Sequence, residues 1–202
     1  MGRGTVCYLA RLDGKYYVIK DHWVREFNQG GGFRDPRMIH EVTMMEYVKD
    51  INGVPKLHNA WIVEVEEGIP DTTARYRDEE HRAAMHSLRT HVRLAMTPCA
   101  RPLTMFKSKK ELVQSVRDIL GSKYTYTMYY VLIEPTGAVI DKAFKQGVLH
   151  RDCSIFNTMI EDLPNGSRGF LLDWEFAVEI TVRGEYGVGG TVRLSRLFCR
   201  PS

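Results

Sequence analysis

No stretch of this sequence approaches the roughly 18 uninterrupted apolar residues that a membrane-spanning helix requires. The opening residues, MGRGTVCYLARLDGKYY, lack the apolar segment of a secretory signal and turn charged within a few positions. Cysteine is scarce and scattered. Cys7, Cys99, Cys153 and Cys199 form no C-x-x-C pair, so neither a disulfide framework nor a zinc site is expected. Neither sign of charge prevails, with 28 Lys plus Arg against 25 Asp plus Glu, and no basic run is interleaved with aromatics. Nucleic acid and membrane are therefore not expected partners, and a cytoplasmic or nuclear location is. Internal repeats and low-complexity tracts are missing too. Apolar residues, by contrast, make up 44% of the 202 positions, enough to bury the core of one domain, or of one domain made of two lobes.

Local pattern divides the chain. Residues 5–10 and 15–20 are β-branched and aromatic, and Asp13-Gly14 between them is the strongest short-range hairpin signal. Residues 24–34 hold three consecutive glycines and read as a loop; no Lys-Ser/Thr follows Gly30-Gly31-Gly32, so this is not a phosphate loop of the P-loop type. Helical spacing of Met38, Val42, Met45 and Val48 predicts a helix over 37–49, with Asp35-Pro36 as its cap and first position. A strand is expected over 60–65 and another over 91–96, separated by a charged, apolar-poor stretch, 66–87, that reads as an exposed insertion. Residues 109–120 predict an amphipathic helix with Leu112, Val113, Val116, Ile119 and Leu120 on one side, and 137–146 a second helix. The β-rich run 124–133 has no clear place, and 147–180 mixes short strands with loops. Strands dominate before residue 97 and helices with short hairpins after it.

Chemistry concentrates in Val148-Leu149-His150-Arg151-Asp152-Cys153-Ser154-Ile155-Phe156-Asn157, which matches H-R-D-x-x-x-x-N. Four specified residues, each used about 5% of the time, coincide by chance in roughly one such chain in a thousand. Soon afterwards Gly169-Phe170-Leu171-Leu172-Asp173 places an aspartate at the end of a short apolar strand. Phosphoryl transfer needs this set: one Asp to orient a hydroxyl and accept its proton, and an Asn with a second Asp to hold Mg²⁺ through hard oxygen ligands. Asp152, Asn157 and Asp173 supply it in order. Lys20 ends the run Val18-Ile19-Lys20, where it could meet the α- and β-phosphates, and Glu41 on the following helix could hold it. Glu46 on the same helix competes for that place. His150 reads as orienting the loop, Trp174 as core packing, and Arg151 either as a dock for a phosphorylated segment or as an anchor of the loop.

These motifs resemble the protein kinase superfamily. The phrases YVIKDHW, ARPLTMF with KSKKELV, GVLHRDCSIFN and GFLLDWEFA are closest to the fungal-type protein kinases, over most of residues 2–192. The resemblance implies an α+β, bilobal protein-kinase-like fold: an antiparallel sheet plus one helix in an N-lobe (1–96), a connector at 97–99, and an incomplete, mainly helical C-lobe (100–202). It implies ATP and Mg²⁺, and transfer to Ser or Thr hydroxyls of a protein substrate. By motif position Lys20 is the phosphate-binding lysine with Glu41 as its partner, Asp152 the catalytic base, and Asn157 and Asp173 the metal ligands. Gly4 and Val6 correspond to the end of the glycine-rich loop that covers the nucleotide.

The sequence also departs from that pattern. Only Gly4-Thr5-Val6 represents G-x-G-x-x-G-x-V, so half the phosphate cover is expected to be missing. Glu175 stands where the general protein-kinase motif has glycine, a place where the fungal-type family tolerates an acidic residue, and no A-P-E motif follows Thr191, hence the incomplete C-lobe. Two alternatives stay open beside the protein kinase: a catalytically inactive binding module, and a small-molecule kinase of the aminoglycoside or choline type. Arg151 between His and Asp speaks against the last. Thr181, Thr191 and Ser195 are candidate phosphorylation sites.

Overall fold

A computed structural model describes residues 5–25, 39–77, 88–121 and 138–180. Within them, Asp13 and Gly14 take positive φ (49° and 77°), the twist that joins two right-twisted strands. The strands are β1 (Val6–Leu12) and β2 (Lys15–Arg25), paired antiparallel. With β3 (Lys56–Ile62) and β6 (Arg89–Thr97) they form a four-stranded antiparallel sheet in the order β1-β2-β6-β3. β6 alternates strictly, burying Thr90, Val92, Leu94 and Met96 and leaving the residues between them half-buried. Register then fixes the faces, because a slip of one residue would invert them. Lys20 pairs with Leu94 and His22 with Val92, so both polar side chains share the buried face. On the other face Arg93 holds Asp21 through two bonds of 2.6 and 2.7 Å, and Trp23 stacks on His91 with centroids 4.8 Å apart.

The stretch 66–87 is not a plain solvated insertion. Its described part pairs β4 (Glu64–Glu66) with β5 (Ile69–Pro70), runs through a 3₁₀ turn at Thr73–Tyr76, and bridges Thr72 to Thr90. Asp71 anchors it: its carboxylate lies 3.0 Å from His91 Nδ1, and its carbonyl accepts from the His91 amide. Such pairing rests on main-chain groups and on the side chains of Asp71 and His91, so no local apolar period announces it. The helix α1 (His40–Val48) lies inside the expected 37–49.

Contacts divide the chain into two compact units, Met1–Thr43 with Lys56–Cys99, and Met44–Pro55 with Ala100–Ser202. The division falls within α1, and residues 44–55 join the later unit although they precede β3 in the sequence. Asp35-Pro36, Gly4, the glycine run 30–32, residues 124–133, and Thr181, Thr191 and Ser195 lie outside the described residues.

In the second unit, α2 (Lys109–Leu120) begins at Ser108, whose hydroxyl accepts from the Glu111 amide at 3.1 Å, and ends at Gly121, with φ of 92°. α3 (Val139–Lys145) follows. Strands β9 (Thr158–Leu163) and β10 (Gly166–Leu171) form a hairpin, joined by β7 (Arg101–Pro102) into a three-stranded antiparallel sheet, while β8 (Val148–Leu149) pairs with β11 (Val178–Glu179). The fold is thus α+β, with antiparallel sheets and, among the described residues, three α-helices. Ile119, Val139, Ile160, Phe170, Leu171 and Trp174 form the core and are 1% exposed or less. Gly169 lets the β10 backbone touch α2, since a Cβ there would come 2.0 Å from the Ser115 carbonyl oxygen. The Gly169 amide donates to Asp118, and the Leu171 amide to the Gly53 carbonyl at 2.8 Å, which fixes the strand leading to Asp173.

Candidate functional site

Lys20 enters the buried face of the first unit from β2. Its Nζ donates to both carboxylate oxygens of Glu41 at 2.8 Å, with Lys20 5% and Glu41 2% exposed. Glu41 sits in the first turn of α1, where the helix dipole favours a carboxylate. A charge that deep is tolerable only when paired, so each group is the condition for the other's burial. Glu46, the rival, is exposed and bonds Lys49 instead. The arrangement also contains a group that the sequence reading passed over. His22, 2% exposed, brings Nε2 to 3.6 Å from Glu41 Oε2. The signal was the strand period, since two residues beyond Lys20 on a strand is the same face.

The structure does not bring Val6 to this face. Val6 pairs with Asp21 and is 59% exposed, whereas Cys7 stands directly across from Lys20. Pleat and register put Val6 on the face of Asp21. Gly4 lies outside the described residues.

In the second unit the motif residues are tied together by hydrogen bonds. The Asn157 amide nitrogen donates to the Asp152 carbonyl at 2.9 Å and to Asp152 Oδ2 at 3.2 Å. The Asn157 carbonyl accepts from the Leu172 amide at 2.8 Å, which links this loop to the strand end before Asp173. With its nitrogen committed to Asp152, the amide of Asn157 has its side-chain oxygen as the group to offer a cation. Asp152 is 9% exposed and Asp173 half-buried. Arg151 and Asp173 adopt left-handed backbone, with φ of 69° and 62°. Each such residue costs about 1–3 kcal/mol, so the surrounding bonds hold them there.

His150 is the clasp. Its ring lies against Trp174 edge-on, centroids 4.6 Å apart, and is 2% exposed. Burial depresses its pKa to about 4, against the upward pull of the Leu172 carbonyl, Asp173 and Asp152. The neutral ring has one donor and one acceptor. Nε2 lies 2.9 Å from the Leu172 carbonyl and must donate to it; Nδ1 then accepts the Asp152 amide at 3.3 Å. One neutral imidazole therefore spans the loop of Asp152 and the strand end before Asp173. Beside it, burial pushes the Cys153 thiol up to about 12, so it stays protonated.

This clasp has a pH signature. The folded value lies below the unfolded one, so His150 contributes fully above pH 6.5, and the contribution is lost as pH falls towards 4. Between pH 6.5 and 5 the wild type should lose about 1.6 kcal/mol more stability than His150→Asn. Urea unfolding at the two pH values measures this; equal losses would show that the ring is not held neutral.

Among the described residues no three His, Cys, Asp or Glu side chains gather as a metal centre, and no helix is long and apolar enough to cross a membrane. One unit thus holds the buried Lys20–Glu41 pair, and the other holds Asp152 bonded to Asn157. The family model "Fungal protein kinase" matches residues 1–127, more than half of the chain, and the chain belongs to that family. The matched stretch includes Lys20 and Glu41 and stops before the 150–157 loop. No curated protein matches the sequence. Membership implies ATP as ligand, with Mg²⁺. The donors present fit that ion: the Asn157 side-chain oxygen and the Asp173 carboxylate are hard, and Mg²⁺ is commonly held by few protein oxygens plus phosphates and water.

Proposed function

We propose that the chain is a serine/threonine protein kinase domain that moves the γ-phosphoryl group of ATP to a protein hydroxyl. The observation that carries this reading is the Asn157 amide clamped on Asp152, which sets a carboxylate base and a cation-binding oxygen in one hydrogen-bonded unit. Lys20, steadied by Glu41, binds the α- and β-phosphates. Asn157 and Asp173 would hold Mg²⁺, which when bound neutralises charge on the β- and γ-phosphates. Asp152 orients the acceptor hydroxyl and takes its proton as the oxygen–phosphorus bond forms and the bond to the ADP oxygen breaks. His150 positions Asp152 without touching the nucleotide. Residues 1–96 and 100–202 serve as the two lobes with 97–99 as connector. Cys99 and Cys153 carry reduced thiols, which suits the cytoplasm or nucleus.

One observation favours a binding module without turnover. Glu175, half-buried in the 3₁₀ turn after Asp173, adds a carboxylate where the general protein-kinase pattern has glycine. Mg-ATP binding without turnover would select that reading, and phosphorylation of sugars or amines in preference to peptides would select a small-molecule kinase.

Nucleotide binding comes first. Mg-ATP at about 100 times its Kd should stabilise the wild type by about 2.7 kcal/mol, read as a rise in Tm, and Asp173→Ala should lose the Mg-dependent part. A folded wild type that shows no shift would overturn the proposal.

A further inference from the structure

Beside the loop of Asp152 an apolar groove of about 170 Å³ takes no part in the chemistry above. Leu103, three residues of α2 (Val116, Ile119 and Leu120), and Cys153 with Ile155 from the loop line it, all within the second unit. Its polar side chains have little to offer a ligand. Thr158 Oγ1 donates to the Ile155 carbonyl at 3.0 Å, and the Cys153 thiol stays protonated. The groove opens to solvent: Ile155 is 54% exposed, and Val113, one turn before Val116 on α2, is 60% exposed.

Size selects the occupant. Small-molecule sites run to about 300–1,000 Å³, whereas an apolar cavity of about 150 Å³ takes a single benzene ring. The groove therefore has room for one aliphatic or aromatic side chain, which arrives as part of a protein. Charge selects its surroundings. The acidic side chains of α2 are engaged, Glu111 by Arg101 and Asp118 by the Gly169 amide and Gln114. Lys107 is paired with Asp162. Lys109 and Lys110, by contrast, are exposed and hold no ion pair among the described residues. They stand at the start of α2, where the helix dipole adds to their charge instead of offsetting it. Lys109, Val113, Val116 and Leu120 fall on one helix face, with Lys109 about 10 Å along the axis from Val116.

We propose that this groove docks a partner protein through an acidic amphipathic helix. One large apolar side chain of the partner fills the groove, and acidic residues about two turns away meet Lys109 and Lys110. The partner then rests on Cys153 and Ile155, next to Asp152, and its docking requires no phosphoryl transfer.

The probe is a labelled helical peptide of about 15 residues with a leucine anchor and a pair of glutamates two turns from it, made with the pair on either side. One version should bind the whole chain at least about fivefold more tightly than its counterpart with lysines in place of the glutamates. Lys109→Glu with Lys110→Glu should reverse that preference, which a loss of folding cannot do. Methyl NMR should show Ile119 and Ile155 shifting as the glutamate peptide binds, and alanine in place of the leucine anchor should abolish the shifts. Salt should erase the charge preference and leave the methyl shifts. No methyl shift at about 1 mM peptide overturns the proposal, and so does equal affinity for the glutamate and lysine peptides. Methyl shifts that follow protein concentration without peptide would assign the groove to a second copy of this chain, and would overturn it too. The peptide and NMR arms run on the wild type, so a variant that fails to fold leaves the test decisive.

Discussion

Asp152→Asn is expected to slow phosphoryl transfer by about 10²–10⁴-fold while leaving the affinity for Mg-ATP within about threefold. The reasoning is local. Asparagine has the shape of aspartate and keeps an oxygen that can accept from the Asn157 amide, now at 3.2 Å from Oδ2. The backbone bonds, from the Asp152 amide to His150 and from Asn157 to the Asp152 carbonyl, do not involve the carboxylate. What disappears is basicity, and with it the acceptor for the hydroxyl proton. Single-turnover kinetics separate the two quantities. A variant that transfers as fast as the wild type would remove Asp152 from the base role, and one that loses nucleotide affinity tenfold would make it a ligand instead.

Lys20→Met has the other large effect, and it appears in stability before it appears in catalysis. The substitution leaves Glu41 charged, 2% exposed, and stripped of two 2.8 Å bonds. Breaking a buried pair by removing one partner costs about 3–5 kcal/mol, whereas replacing both by apolar groups is often neutral. Lys20→Met should therefore unfold at a markedly lower urea concentration, and Lys20→Met with Glu41→Leu should recover most of the loss. Nucleotide binding should be absent from both. Recovery of stability without recovery of binding would separate the structural part of the pair from its functional part. A single variant as stable as the wild type would mean that Glu41 is relieved in some other way, with His22 the nearest candidate.

Much of the local structure was legible because it is written in adjacent residues. Asp13-Gly14 has the backbone a tight hairpin needs, and the stretch from Ser108 to Gly121 carries both caps and the apolar stripe of α2. The loop around Asp152 was legible as a motif, since the spacing of His150, Asp152 and Asn157 is fixed by the hydrogen bonds they exchange. Other features depend on residues far apart in the chain. His91 meets Asp71 across 20 positions, and this gives order to a stretch whose composition reads as solvated loop. β2 runs on to Arg25, into what its composition marks as loop, because Arg89–Thr90 of β6 are there to pair with it. His22 looked like one more polar residue until the β2–β6 register assigned it to the buried face. The β1–β2 register likewise places Val6 on the face of Asp21, which motif position does not state.

Trp174 gives the chain a built-in optical reporter. Of the three tryptophans, Trp23 and Trp61 are half-buried, whereas Trp174 is fully buried, bonded through Nε1 to the Leu171 carbonyl and set edge-on against the ring of His150. Indole emission shifts to the red when water arrives and dims beside an imidazolium. The colour and brightness of this one residue therefore register, without any label, whether the clasp between the loop of Asp152 and the strand end before Asp173 is shut.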